Sequence, residues 1–164
     1  MKKILTILLL CTAAVGLRAQ NNAATLWGEL KKQGTLSMEF TLKGVDKDGV
    51  VVSDETGKAY LQGDCYRIEC ADMLICCDGT SMWLYNTSSE ELVIDSDEAL
   101  PFMNATDVKR DQKGNLNATY TADDVTFKVK VSGIKNPGKK FGGTFFKIDE
   151  SALPEEVIVT DLRD

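Results

Sequence analysis

Most of the chain alternates between apolar and polar residues in short runs, which is typical of half-buried β-strands. The run TLSMEFTLKG, residues 35–44, places Met38, Phe40 and Leu42 on one face and polar side chains on the other. A polar turn at residues 46–49 follows, and further runs come at short intervals. They are GKAYLQG, CYRIEC, DMLICCDG, SMWLYN, ELVID, NATYTAD, VTFKVKVS, GTFFKID and EEVIVTDLR. Successive short strands with small turns predict an antiparallel meander.

Few helical segments accompany these strands. The stretch AATLWGELKKQG, residues 23–34, predicts a helix because Leu26 and Leu30 lie one turn apart and Gly34 follows a basic last turn. A single helical turn is predicted at residues 96–100, before Pro101. The fold class is therefore mostly β with a few helices (α+β).

The alternation also gives each strand one apolar face and one more polar face. In CYRIEC, for example, Tyr66, Ile68 and Cys70 point to one side of the strand, whereas Arg67 and Glu69 point to the other. This pattern predicts a curved sheet whose concave side is lined with hydrophobic groups. An ordinary core packed beneath a helix is the alternative.

The first nineteen residues have the form of a secretory signal peptide. Lys2 and Lys3 precede an apolar run at residues 4–15, which is too short to span a bilayer, and residues 17–19 resemble a cleavage site. We therefore expect residues 1–19 to be removed and residues 20–164 to form one domain in the periplasm of a bacterium.

Composition narrows the classes of function. The chain has 19 Lys and Arg against 25 Asp and Glu, a net charge of −6, which becomes −9 when Lys2, Lys3 and Arg18 leave with the signal peptide. This charge argues against nucleic acid and against anionic lipid head groups as partners. The chain has no histidine, which excludes Ser–His and Cys–His nucleophiles and most catalytic zinc sites. We predict no enzymatic activity, no metal and no other cofactor.

Four cysteines follow the predicted signal peptide, in a compartment where disulfides form. If CYRIEC and LICCDG form a hairpin, Cys65 falls near Cys77, and Cys70 falls a few residues from Cys76. The strand register decides whether either pair bonds. Small buried thiols are the alternative, and the C-x4-C-x5-C-C spacing is not that of a zinc site.

The order of these features is similar to that in one known family. Three strand motifs come first along the chain: MEFTLKG, GKAYLQG and CYRIEC. A DG-x-x-x-W-x-Y signature follows, then PFM at residues 101–103, and finally FKID and LPEEVIVTDLR. That signature consists of Asp78, Gly79, Trp83 and Tyr85. Taken in this order, all of these motifs resemble a shortened form of the periplasmic outer-membrane lipoprotein carrier protein (LolA) family, and the resemblance covers nearly all of residues 20–164.

The resemblance implies an incomplete antiparallel β half-barrel with an apolar concavity and a short helical lid. It implies a monomeric periplasmic chaperone that binds the acyl chains of lipoproteins and shuttles them from the inner to the outer membrane. The implied partners are acylated lipoproteins, an inner-membrane lipoprotein-releasing ABC exporter and an outer-membrane acceptor of unknown type. Each acyl CH₂ exposed to water costs about 0.8 kcal/mol, so such cargo needs an apolar groove.

Candidate lipid-binding residues follow partly from the resemblance and partly from strand parity. Tyr66 matches an aromatic site in the family's acyl-binding wall, and Ile68 lies on the same face. Parity adds Phe40, Leu42, Leu61 and Leu84, and the lid-like segment adds Phe102 and Met103. A structural role in the core is the alternative for each residue, and we expect Trp83 and Tyr85 to pack the sheet.

One feature departs from the family pattern. Where the family has an Arg-Pro whose arginine latches the lid, this chain has Gln62, Gly63 and Asp64. Either Arg67 takes part in another latch or the lid is held by apolar contact alone. A second class of function also stays open: a noncatalytic periplasmic sensor or envelope-interaction module that uses the same half-barrel to bind a peptide or protein.

Overall fold

The computed structural model describes residues 23–96 and 107–163. It contains one α-helix, α1 (Ala23–Lys32), and two 3-10 helices, Gly143–Phe146 and Glu150–Ala152. The strands are β1 (Thr35–Val45), β2 (Val51–Gln62), β3 (Cys65–Cys70), β4 (Met73–Cys77), β5 (Ser81–Asn86), β6 (Glu91–Ser96), β7 (Asp107–Arg110), β8 (Leu116–Ala122), β9 (Val125–Lys135) and β10 (Ile158–Asp161). The predicted class, mostly β with few helices, is confirmed.

All ten strands belong to one sheet with the order β10-β6-β5-β4-β3-β2-β1-β9-β8-β7. Consecutive strands from β1 to β6 and from β7 to β9 form antiparallel hairpins, as the meander pattern predicts. The β1–β9 pair joins the two groups, and β10 adds to β6 in parallel. Within the described residues the two edge strands, β7 and β10, are not paired with each other, so the sheet is not closed.

The strand side chains form two apolar faces. The helix face is defined here by the buried cluster that includes Leu30 of α1. Its other members are Leu36, Met38, Phe40, Leu42, Ala59, Leu61, Tyr66, Ile68, Met73, Ile75, Cys77, Leu84, Val108, Leu116, Ala118, Phe127, Val129 and Val131. The C-terminal face is defined by Cys76, Trp83, Leu92 and Ile94, which pack against Ile148, Leu153 and Val157 of the chain's last segment. Strand residues of both faces are buried, so each face has a cover.

The predicted helix and first hairpin have the expected features. Gly34, which follows α1, has a φ of +87°, a conformation that glycine adopts without strain. The turn after β1 is held by Asp46, whose Oδ1 accepts hydrogen bonds from the amides of Asp48 and Val50, both at 2.9 Å. The predicted placement of Met38, Phe40 and Leu42 on one face is also confirmed, since all three are buried on the helix face.

One predicted strand is wrong. The stretch GTFFKID was expected to be extended, but Gly143–Phe146 is a 3-10 helix. Adjacent residues of a strand point to opposite sides, whereas here Phe145 and Phe146 both contact Phe141, with ring centroids 4.5 and 5.9 Å away. The helical turn lets neighbouring aromatic rings join one cluster. The helical turn predicted at residues 96–100 falls almost wholly outside the described residues.

A glycine in β2 positions an aromatic ring of the helix face. A Cβ atom at Gly57 would collide with the carbonyl oxygen of Glu69 and with the ring of Phe40. Phe40 therefore packs closely against the backbone of β2 at Gly57, where any larger residue would displace the ring. This contact links the glycine-led strand of the sequence to one of the predicted lining residues.

We expect Gly57→Ala to lower the free energy of unfolding by about 2 kcal/mol, because the added methyl group overpacks a site enclosed by backbone and ring. Gly28→Ala in α1 is the control, since nothing lies within 4 Å of a Cβ there. That variant should be stabilised by about 0.5–1 kcal/mol through helix propensity. Urea unfolding followed by circular dichroism measures both, and equal effects would contradict the packing described here.

Candidate functional site

The predicted lining residues within the described chain all lie on the helix face. They are Phe40, Leu42, Leu61, Tyr66, Ile68 and Leu84, and none is more than 8% exposed. Phe102 and Met103 lie outside the described residues. The structure thus brings six of the candidates to one surface and gives them the burial of core residues.

Strand register explains why these residues meet. Ile68 of β3 lies opposite Ile75 of β4, which lies opposite Leu84 of β5, so one row of side chains crosses three strands. Leu61 lies opposite Tyr66 in the neighbouring pair of strands. Residues directly opposite each other in antiparallel strands share a face. The apolar surface is therefore continuous from β5 across the sheet to β9.

Within the described part of the chain, α1 is the helix that packs on this surface. Leu30 is completely buried and Leu26 is half-buried against the cluster. Lys31 forms an ion pair with Asp64 in the β2–β3 turn, at 2.8 Å. The two side chains are 31% and 71% exposed, so the pair stabilises the docked helix by at most about 1 kcal/mol.

The Lys31–Asp64 ion pair involves the stretch where an Arg-Pro was expected from the resemblance. Asp64 occupies the stretch where the family's Arg-Pro was expected, and it joins α1 to the sheet with the opposite charge. Arg67 points to the other side of the sheet. Apolar contact alone therefore does not hold α1, since the exposed Lys31–Asp64 pair adds to the contacts of Leu30.

Arg67 instead holds the C-terminal segment on the opposite face. Its Nη1 donates to the carbonyl of Phe145 at 3.1 Å, and its guanidinium lies 5.0 Å from the centroid of that ring. Its Nε donates to Glu69 at 2.6 Å. Tyr60 packs edge-on against Phe145, at 5.2 Å between centroids. Sequence reasoning missed this contact because alternation does not show which segment covers a face.

Gln62 fixes the start of the same segment. Its Oε1 accepts a hydrogen bond from the amide of Phe141 at 2.7 Å, and its Nε2 donates to the carbonyl of Phe141 at 3.2 Å. One side-chain amide thus satisfies both backbone groups of one residue, as a neighbouring strand would. The sequence had singled out Gln62 only as one of three residues, with Gly63 and Asp64, in place of the expected Arg-Pro, and this role was not predicted.

The signature residues Asp78 and Gly79 build the β4–β5 turn. Asp78 Oδ1 accepts from the amides of Thr80 and Ser81, both at 2.9 Å, and Gly79 has a φ of +89°. Burial by itself raises the pKa of Asp78. The ion pair with Lys147, at 2.8 Å, and the turn amides outweigh it, so the pKa lies below its usual range.

Trp83 and Tyr85 point away from the predicted lining. Both belong to the apolar cluster of the C-terminal face, where Trp83 is buried. The indole Nε1 of Trp83 donates to Glu150 at 3.3 Å, and Lys147 Nζ lies 5.9 Å from its ring. These two aromatic residues therefore anchor the chain's last segment to the sheet.

The four described cysteines are free thiols. Cys77 lies opposite Tyr66 on the helix face, whereas Cys65 hydrogen-bonds to the carbonyl of Asp78. Neither of the two disulfide pairings considered above is formed. Burial raises the pKa of Cys76 to about 11, and burial together with Glu55 raises that of Cys70 to about 12. Residues 23–96 and 107–163 contain no cluster of three metal-ligating side chains.

Comparison with known proteins adds little to this picture. No family model matches the sequence, and no curated protein matches it. A solved structure of an uncharacterized conserved protein from Thermus thermophilus is similar at 15% identity and a TM-score of 0.46, covering 81% of this chain and 93% of that one. This likeness is too distant to bear on function. No helix in the described ranges is long and apolar enough to cross a membrane.

The raised thiol pKa values predict a loss of stability at alkaline pH. The folded protein holds the protons of Cys70 and Cys76 more tightly than the unfolded chain, whose thiols titrate near 9.0. This contribution is complete below pH 9 and is lost as the pH rises through the folded-state pKa values, about 11 for Cys76 and about 12 for Cys70. Urea unfolding between about pH 8 and pH 11 measures it. The double variant Cys70→Ala and Cys76→Ala should show a flatter decline, and an unchanged slope would contradict the assignment.

Proposed function

We propose that this protein is a periplasmic carrier that binds the acyl chains of lipoproteins and shuttles them from the inner to the outer membrane. We further propose that its unclosed sheet forms a half-barrel, that the helix face is the apolar hollow, and that α1 is part of the lid. The observation that carries this proposal is the meeting of six predicted lining residues on one face beneath a short helix.

The size and chemistry of the helix face support an apolar ligand. Its buried members are aliphatic, aromatic and sulfur-containing side chains with a single phenol, that of Tyr66. Such a surface offers dispersion contacts and no charge, which suits hydrocarbon. At about 0.8 kcal/mol for each CH₂ removed from water, an acyl chain held on this face would avoid the cost of exposure while it crosses an aqueous compartment.

The burial of these side chains sets a condition on binding. Because each is at most 8% exposed, a chain reaches them only if a covering element moves. We propose that α1 is this element, since ten residues form a marginal helix on their own and its described apolar contacts with the sheet come from Leu26 and Leu30. Cargo would replace Leu26 and Leu30 as the apolar partner of the sheet. The carrier itself would perform no chemistry.

Co-expression with a lipoprotein tests the function directly. We expect the mature chain, residues 20–164, to co-purify with an acylated lipoprotein as a soluble one-to-one complex, measured by size exclusion with native mass spectrometry. The acyl chains should be required, because they supply the apolar contact.

The control is the same cargo with its acylated cysteine replaced by serine, which the carrier should not retain. Equal retention of acylated and unacylated cargo would refute the carrier proposal. It would favour the alternative, a sensor or envelope-interaction module that binds a peptide or protein partner.

A matched pair of core variants tests whether the helix face is the ligand site. Ile68 on the helix face and Ile94 on the C-terminal face are 1% and 0% exposed. Truncating either to alanine should lower the free energy of unfolding by about 2–5 kcal/mol. Only Ile68→Ala should weaken binding of a fluorescent fatty acid, by about fivefold to fiftyfold, since it removes up to three apolar carbons from the site.

Binding is measured by titration at a temperature where circular dichroism shows both variants folded. A weakening of the same size in Ile94→Ala would place the effect in overall stability rather than in the helix face. Charged substitutions at Ile68 are unsuitable, because an unpaired carboxylate at a fully buried position would unfold the protein.

A further inference from the structure

One end of the sheet holds a cleft of about 720 Å³. It lies where α1 ends, β1 begins, β7 turns into β8 and β9 ends. Its lining combines two apolar side chains, Leu36 and Ile134, with three basic ones, Arg110, Lys113 and Lys135. The volume is within the range of small-molecule sites, which is about 300–1,000 Å³.

A bulge in β9 gives the cleft its apolar wall. Ser37 of β1 pairs with Lys135 and Glu39 pairs with Ser132, so β9 has one extra residue in this interval. Gly133 there has a φ of +62°, as in bulges that begin with a left-handed glycine. The extra residue reverses the alternation, and Ile134 consequently packs against the helix-face cluster together with Leu36.

The cleft is basic in a protein that is acidic. Its lining contains no Asp or Glu, and among the described residues Arg110, Lys113 and Lys135 form no ion pair. The surrounding segment, residues 107–140, has eight Lys and Arg against four Asp, whereas the chain as a whole has a net charge of −6. Three uncompensated cations around one cleft attract an anion.

Acidic side chains near the cleft include Glu39, beside Gly133, and Asp111, which is committed to its own turn. Asp111 accepts hydrogen bonds from the amides of Lys113 and Asn115, at 2.8 and 3.0 Å, and from the side chain of Asn115 at 2.8 Å. The bond from the Asn115 side chain is the largest of the effects that lower the pKa of Asp111. Asp111 thus shapes the β7–β8 turn that presents Lys113, and it does not line the cleft.

We propose that this cleft binds the anionic, phosphate-bearing head group of a lipid whose acyl chains lie on the helix face. The proposal rests on the acyl-binding helix face proposed above and adds anionic phospholipid to the ligands that this face accepts. Leu36 and Ile134 line the cleft and also pack in the helix-face cluster. A single amphiphile can therefore contact both the cleft and the helix face without crossing polar surface. The arginine and lysines supply charge-assisted hydrogen bonds to phosphate oxygens.

The net charge of the chain argues against anionic head groups as partners, but the local charge at this end of the sheet has the opposite sign. Long-range repulsion by an acidic protein is screened within about 8–10 Å at physiological ionic strength. Contacts inside the cleft are shorter than that. The local cations therefore decide what the cleft accepts.

The test compares short-chain lipids that differ only in the head group. Isothermal titration of residues 20–164 would use dihexanoyl phosphatidylglycerol, dihexanoyl phosphatidylcholine and inorganic phosphate, each below any micellar concentration. We expect the anionic lipid to bind roughly tenfold more tightly than the zwitterionic one. We expect inorganic phosphate to bind far more weakly than either lipid.

The combined variant Arg110→Gln, Lys113→Gln and Lys135→Gln should abolish this preference and leave phosphatidylcholine binding unchanged. The control variant Lys43→Gln, Lys47→Gln and Lys58→Gln removes the same charge from exposed positions on β1, its turn and β2, and it should keep the preference.

Each outcome decides the matter. Equal affinity for the two lipids would overturn the head-group site and leave acyl binding standing. Inorganic phosphate binding as tightly as the anionic lipid would overturn it in favour of a free anion. If neither lipid binds, the head-group proposal fails, whereas the carrier function is decided separately by the lipoprotein co-purification described above.

Discussion

A single sheet with two apolar faces must be covered twice, and this requirement organises the rest of the molecule. Every strand from β3 to β6 contributes apolar side chains, and together they line both sides of the sheet. An uncovered face would expose several hundred Å² of hydrocarbon, which folded proteins rarely tolerate without a partner. The chain covers the C-terminal face with residues 141–157, and on the helix face the described cover is α1.

Period-two alternation predicted most of the described strands, although not β7, and it placed Phe40 with Leu42 on one face of β1 and Tyr66 with Ile68 on one face of β3. All four residues are buried in the helix-face cluster. Alternation says nothing about what lies across a face. For that reason the sequence-based analysis missed Arg67 and Gln62 as anchors of the last segment, and it mistook the 3-10 helix at Gly143–Phe146 for a strand. Whether the helix face is a hollow or a core is likewise not encoded in a single strand's pattern.

The basic side chains on the C-terminal face and those at the cleft are used in different ways. On the C-terminal face, Arg67 and Lys147 are used within the protein, against Phe145 and Asp78. At the end of the sheet where β7, β8 and β9 meet, the cations line a cleft and form no ion pair within the described chain. Net charge averages over these two situations, so it is a poor guide to what any one surface binds.

The two covers differ in the contacts that the structure describes for them. The C-terminal segment is held by polar bonds from Gln62, Arg67 and Trp83 and by an ion pair to Asp78. Among its described side chains, helix α1 contributes Leu30, part of Leu26 and one exposed ion pair. Taking about 1.5–3 kcal/mol for buried Leu30, about half of that for half-buried Leu26 and at most about 1 kcal/mol for the ion pair, these contacts contribute about 2–6 kcal/mol. Roughly three to seven buried methylenes offset that contribution. Under the proposed function, a long acyl chain would exceed this contribution, whereas a small polar metabolite would not.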